Sequence, residues 1–203
     1  MKIRNLWLLL AITAGTFACG NTAETQQADN EETVTSATEE PATEEPAEWE
    51  IEHQLFMPGY ADSVNQGLIA EDTFKGSSRR EVTQEIAGTD VTVNYGSPGK
   101  RGRVLWNGLV SYDQVWVSGS HWATAVTFQN NVKVGETVVP AGKYAFFTIP
   151  GREQWELIIN KNFDQHLADE YDEAEDVVRM TVDPEEPSDM VQRLTYEVED
   201  MGE

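Results

Sequence analysis

Three histidines, a Ser-His pair, a basic loop and an acidic run are where the residue types of this chain could support chemistry. His53, His121 and His166 lie far apart, with no H-E-x-x-H and no cysteine pair. A zinc site would need long-range convergence, and neither metal nor cofactor is expected. Ser120 and His121 have the types of a nucleophile and its base, but strand neighbours point to opposite faces, and no G-x-S-x-G occurs. The segment GSPGKRGR, residues 96–103, lacks both the spacing of a phosphate loop and the Ser or Thr that follows its lysine. It reads as a basic turn between strands, the alternative being an anion-binding turn of Lys100, Arg101 and Arg103. The run DQHLADEYDEAED, residues 164–176, has the carboxylates for calcium without the glycine and ligand spacing, and reads as a solvated loop. Recognition remains. Arg103, Trp106, Trp116, His121, Trp122 and Lys161 combine aromatic planes with cations and form the candidate ligand-binding set.

Charge and the amino terminus say where such a set would be presented. Acidic residues outnumber basic ones 36 to 14, for a net charge of −22, and no Lys or Arg occurs between Arg4 and Lys75. A surplus of that sign repels phosphate backbones and anionic lipid surfaces, so nucleic acid is not an expected partner. Residues 1–18 run from a basic start (MKIRN) through an apolar stretch (LWLLLAITA) to small residues, the order of a secretory signal and too short to span a bilayer. Cys19-Gly20-Asn21 follows, which resembles a bacterial lipoprotein signal, although Thr16 and Phe17 depart from its usual residues. A lone cysteine cannot form an internal disulfide, and acylation gives it a role. The expectation is a chain held in the cell envelope, at the outer membrane, through acylated Cys19. Residues 19–48, with the near-repeat TEEPATEEPAE, lack the apolar content to fold and read as an acidic linker or a sorting signal.

Residues 49–77 form a lead-in, with a short helix conceivable over 61–70, and residues 78–203 change character. Val91, Val93 and Tyr95 alternate with Asp90, Thr92 and Asn94, the period of a half-buried strand. The same period recurs at Thr124, Val126 and Phe128; at Tyr144, Phe146 and Thr148; and at Trp155, Leu157 and Ile159. It returns at Val178, Met180 and Val182, and at Leu194, Tyr196 and Val198. Turn residues separate the runs, among them Asn130-Asn131, Gly135-Glu136 and Pro150-Gly151. Short strands at this spacing predict an antiparallel β-sandwich, with a partly open barrel as the alternative. Trp106, Trp116, Trp122 and Trp155 are its core or rim aromatics.

From residue 78 to about 200 the chain resembles the family of uncharacterised bacterial envelope proteins known as domain of unknown function 2911. The likeness rests on "SRREVTQEIAGTDVTVNYGSPGKRGRVLWNGLVSYDQVW", "AGKYAFFTIPGREQWELIINK" and "YDEAEDVVRMTV". Val117, His121-Trp122 and His166 depart from the family's usual residues. The resemblance implies an exported β-rich domain and brings no activity with it. Together these features favour a lipid-anchored, non-enzymatic module binding a ligand, a glycan or an envelope partner. The competing expectations are a hydrolase assembled in space from Asp113, His121 and the acidic loop, and a purely structural envelope protein.

Overall fold

The computed structural model describes residues 12–13, 57–185 and 191–201. The signal segment (apart from its residues 12–13), Cys19, the acidic linker and His53 therefore lie outside the described residues. Among the described residues the fold is antiparallel β almost throughout, with one short α-helix, α1 (Tyr60–Asn65), and a single 3-10 turn at Glu173–Glu175. The strands are β1 (Ser78–Ile86), β2 (Thr89–Ser97), β3 (Thr124–Phe128), β4 (Val132–Val134), β5 (Thr137–Val139), β6 (Gly142–Pro150), β7 (Trp155–Asn160) and β8 (Asp176–Val182). Six of them form one sheet in the order β1-β2-β3-β6-β7-β8. The remaining two, β4 and β5, form a small hairpin, alongside which residues 12–13 pair with β4.

The five alternating runs between residues 90 and 182 all lie in the main sheet. Their register explains why: Val93 sits opposite Val126, Val126 opposite Tyr144, Phe146 opposite Ile159, and Ile159 opposite Val178. One apolar face thus runs across the sheet, stepping by two residues from Tyr144 to Phe146 on β6, and the hairpin valines Val132, Val134 and Val139 cover it together with Tyr196. The opposite face of β6 and β7 carries Ala145, Phe147 and Ile158, closed off by Val117, Ala123 and Tyr171. Burial on both faces is what the unbroken apolar text of YAFF and LII requires. The sheet is not closed, and β1 and β8 remain separate edges. A sandwich is formed whose second layer is a two-stranded hairpin and irregular chain rather than a full sheet.

Two local expectations change. Residues 194–200 form no strand: Leu194 N–H donates to the Pro98 carbonyl (3.1 Å) and Tyr196 N–H to the Tyr95 hydroxyl (3.2 Å). The alternation is still informative, because Tyr196 is buried and Leu194 and Val198 pack against the same core. The basic turn is present, closed by Arg103 N–H on the Lys100 carbonyl (3.0 Å), but it is only the start of the link between its two strands. Gly96 and Ser97 end β2, and residues 98–123 form a long irregular connection to β3.

The lead-in is bound to the sheet. Arg193, with no solvent exposure, donates through Nη2 to Asp72 Oδ1 (2.8 Å) and the Phe74 carbonyl (2.6 Å), and through Nη1 to the carbonyls of Ser97 (2.9 Å) and Gly76 (3.2 Å). Its guanidinium lies over the rings of Tyr60 and Phe74, at 5.0 and 5.1 Å. Arg80 adds an ion pair with Asp62 on α1, its Nη2 donating to both carboxylate oxygens at 2.8 Å. Asn65 of α1 exchanges hydrogen bonds with the backbone of Arg193 in both directions.

Candidate binding cleft

Between β2 and β3 the connection of residues 98–123 folds back over the ends of β6 and β7, and three indoles meet there. Trp116 is held on β6 by two backbone bonds, its N–H to the Thr148 carbonyl (2.8 Å) and the Thr148 N–H to its own carbonyl (3.0 Å). Its indole N–H donates to the Gly119 carbonyl at 3.2 Å. Trp155 starts β7 and is buried. Trp106 stands between the two, edge-on to Trp155 (centroids 4.7 Å apart) and to Trp116 (6.0 Å). A tight loop sets Trp106, in which Leu109 and Val110 N–H both donate to the Leu105 carbonyl at 2.9 Å. Edge-to-face contacts of this kind add to area burial and fix ring orientation.

The base of this connection is rigid. The Ser118 carbonyl accepts from Thr124 Oγ1 (3.0 Å) and from the buried Tyr196 hydroxyl (2.7 Å), and Ser118 Oγ donates to Thr148 Oγ1 (2.9 Å). Burial pushes the Tyr196 phenol above its ordinary pKa, so it stays a donor at neutral pH. Gly96 is required because a Cβ there would come within 2.5 Å of the Ser120 carbonyl, which lies against β2. Arg101, Asn107, Asp113, Ser118 and His121 all have positive φ, a conformation unfavourable for side-chain-bearing residues. Five such residues in one connection, held by the surrounding bonds, mark a shape that the fold imposes rather than one the segment prefers.

These elements enclose a cleft of about 630 Å³, within the size range of small-molecule and sugar sites. Its aromatic wall is the indole trio and Tyr112. Lys75, Lys100, Arg103 and Arg152 stand around it, with Glu153 and Glu185 as the lining carboxylates among the described residues. Arg152 lies over the Tyr112 ring at 4.9 Å. Arg103 is braced by Nη2 on the Gly99 carbonyl (2.6 Å) and Nε on the Lys100 carbonyl (3.1 Å).

Of the six residues proposed from sequence, Arg103, Trp106, Trp116 and His121 line this cleft. Trp122 does not; it packs on His166, ring centroids 5.7 Å apart, where residues 122 and 166 form a β-bridge. Lys161 is exposed beside the acidic loop, its backbone N–H on the Glu175 carbonyl (3.1 Å), and is not part of the lining. His121 and His166 come together, ring centroids 5.9 Å apart, and the His121 carbonyl accepts from Leu167 N–H (2.5 Å), which brings Leu167 into the cleft wall. Asp113 and the carboxylates of residues 164–176 do not line it. Among the described residues no group of three or more His, Cys, Asp or Glu side chains converges on a point that could hold a metal ion.

Lys75, Tyr112 and Arg152 were not singled out from sequence. They sit on three separate segments, and only the fold of residues 98–123 brings them together. Lys100 alone carried a signal, in the basic loop.

An open antiparallel β-module with an aromatic, cation-rimmed cleft is the class of protein that fold and site define. The chain belongs to the family described as protein of unknown function (DUF2911), which matches residues 77–203. No curated protein and no solved structure matches it.

Proposed function

We propose that this protein is a lipid-anchored module of the cell envelope that binds a glycan in the cleft formed by Trp106, Trp116 and Trp155. The observation that carries the reading is the indole trio lining a cavity of about 630 Å³, with Trp106 and Trp116 half-buried on a base formed by the buried Trp155. Rigid aromatic planes offer flat apolar surface to the C–H faces of sugar rings at small entropic cost, and the polar rim supplies hydrogen bonds. The amino-terminal signal, Cys19 and the acidic linker support placement at the outer membrane, with the folded part standing off the lipid. None of the helices among the described residues is long and apolar enough to cross a membrane.

The test is a titration of the purified domain with a panel of oligosaccharides, followed by intrinsic tryptophan fluorescence and by thermal shift. Binding is expected to change the emission, and Trp106→Ala to weaken it by tenfold or more, about 1.4 kcal/mol. If no oligosaccharide shifts either signal, or if Trp106→Ala binds as tightly as the parent, the cleft is not a glycan site.

A further inference from the structure

We infer that the cleft selects anionic sugars, with Arg152 and Lys100 receiving a carboxylate or sulfate carried on the ring that stacks against the indoles. This rests on the glycan reading above and sharpens it to a substrate class. The chain has 36 acidic residues against 14 basic ones, so a cleft that gathers several cations without ion-pair partners is the feature to be explained. Arg80, Lys133, Arg179 and Arg193 each have a carboxylate within ion-pair distance. Among the described residues none lies within that distance of Lys75, Lys100, Arg103 or Arg152, and all four line the one cleft. Arg79, Arg101, Lys143 and Lys161 also lack such a carboxylate, but they stand outside the lining. Arg193 also lines the cleft but is neutralised by Asp72; against the four other cations the cleft presents two carboxylates, Glu153 and Glu185, so its balance is positive in a strongly negative protein.

The two arginines are prepared rather than merely present. Arg103 uses Nε and Nη2 on backbone carbonyls, which fixes the guanidinium plane and leaves Nη1 for a ligand. Arg152 is stacked on Tyr112, and a stacked guanidinium keeps its donor edge open for bidentate contact with a planar anion. Lys100 is placed by its own backbone, whose N–H donates to the Gln192 carbonyl at 2.7 Å. A neutral sugar would leave these groups solvated and contributing nothing. An anionic one gains charge-assisted hydrogen bonds within a half-enclosed, aromatic-walled space. The negative field of the rest of the chain opposes approach of such a ligand from elsewhere, so the cleft is the place where it is favoured.

The experiment compares three hexasaccharides at low salt by isothermal titration calorimetry: oligogalacturonate (carboxylate), a sulfated oligosaccharide and neutral maltohexaose. The acidic ligands are expected to bind at least tenfold more tightly, with a preference that shrinks between about 20 and about 500 mM salt as the Debye length falls from about 20 Å to about 4 Å. Arg152→Gln combined with Lys100→Gln, both on the surface, is expected to abolish that preference, read as the ratio of acidic to neutral affinity. Whichever of the two acidic ligands binds identifies the anion. Neutral sugar bound as tightly as acidic sugar, or a ratio unchanged in the double variant, overturns the inference while leaving a glycan cleft intact. Absence of binding by all three overturns both readings.

Discussion

Replacing Asp72 by alanine tests whether the lead-in is part of the folded unit. Asp72 is the carboxylate on Arg193, whose side chain is fully buried, and its own side chain is 8% exposed. Removing it leaves the guanidinium with three carbonyl partners and no counter-charge, in a place where water cannot substitute. Losing one partner of such a pair costs about 3–5 kcal/mol. For a folded unit the size of residues 57–201, the unfolding entropy is about 0.3 kcal/mol/K, so the expected fall in melting temperature is about 10–17 °C. Asp62→Ala is the control. It breaks the Arg80 pair, whose side chains are 20% and 43% exposed, and solvent screening limits the loss to about 1 kcal/mol or less. The assay is thermal and urea unfolding followed by circular dichroism at pH 7. A loss for Asp72→Ala no greater than that for Asp62→Ala would refute the reasoning, and with it the structural role assigned to residues 57–76.

Two further outcomes follow from features described above. Burial raises the Tyr196 phenol pKa above its ordinary value of 10.0, so its contribution to stability is complete below pH 10 and falls as pH rises beyond it. Urea unfolding between pH 9 and 11.5 should show a decline approaching about 1.4 kcal/mol per pH unit from this group, flatter in Tyr196→Phe; parallel slopes would contradict it. Cys19→Ala should move the full-length protein from the detergent phase to the aqueous phase in a partitioning assay, and an unchanged distribution would remove the proposed anchor.

Much of the sheet was legible because its periodicity is local. Val91, Val93 and Tyr95 announce their shared face without reference to any other segment, and β6 and β7 announce two buried faces by an unbroken apolar run. The same signal misleads at Leu194, Tyr196 and Val198. Alternation reports which side chains face the core, not whether the backbone finds a neighbouring strand, and here it bonds to Pro98 and a tyrosine hydroxyl instead. Arg193 carries no local signal at all. A buried arginine is explained only by its partners, and its carboxylate lies 121 residues earlier in the chain. The cleft lies between these cases. Aromatic and cationic types pointed to Arg103, Trp106, Trp116 and His121, whereas Trp122 and Lys161 are carried elsewhere by a β-bridge and an exposed bend.

The Arg193 clasp also has a mechanical meaning. A pull applied to the chain at residue 57 passes first through α1 and residues 66–76, which are tied to Arg193 through Asp72, Phe74 and Gly76 before the pull reaches β1. That guanidinium acts as a strain relief. Load entering from the amino-terminal side is diverted into the C-terminal segment and the end of β2, and the nine-residue ladder between β1 and β2 is spared from being peeled open at its exposed edge. A domain attached to a surface by its amino-terminal end is pulled from that side, and that is where this molecule is reinforced.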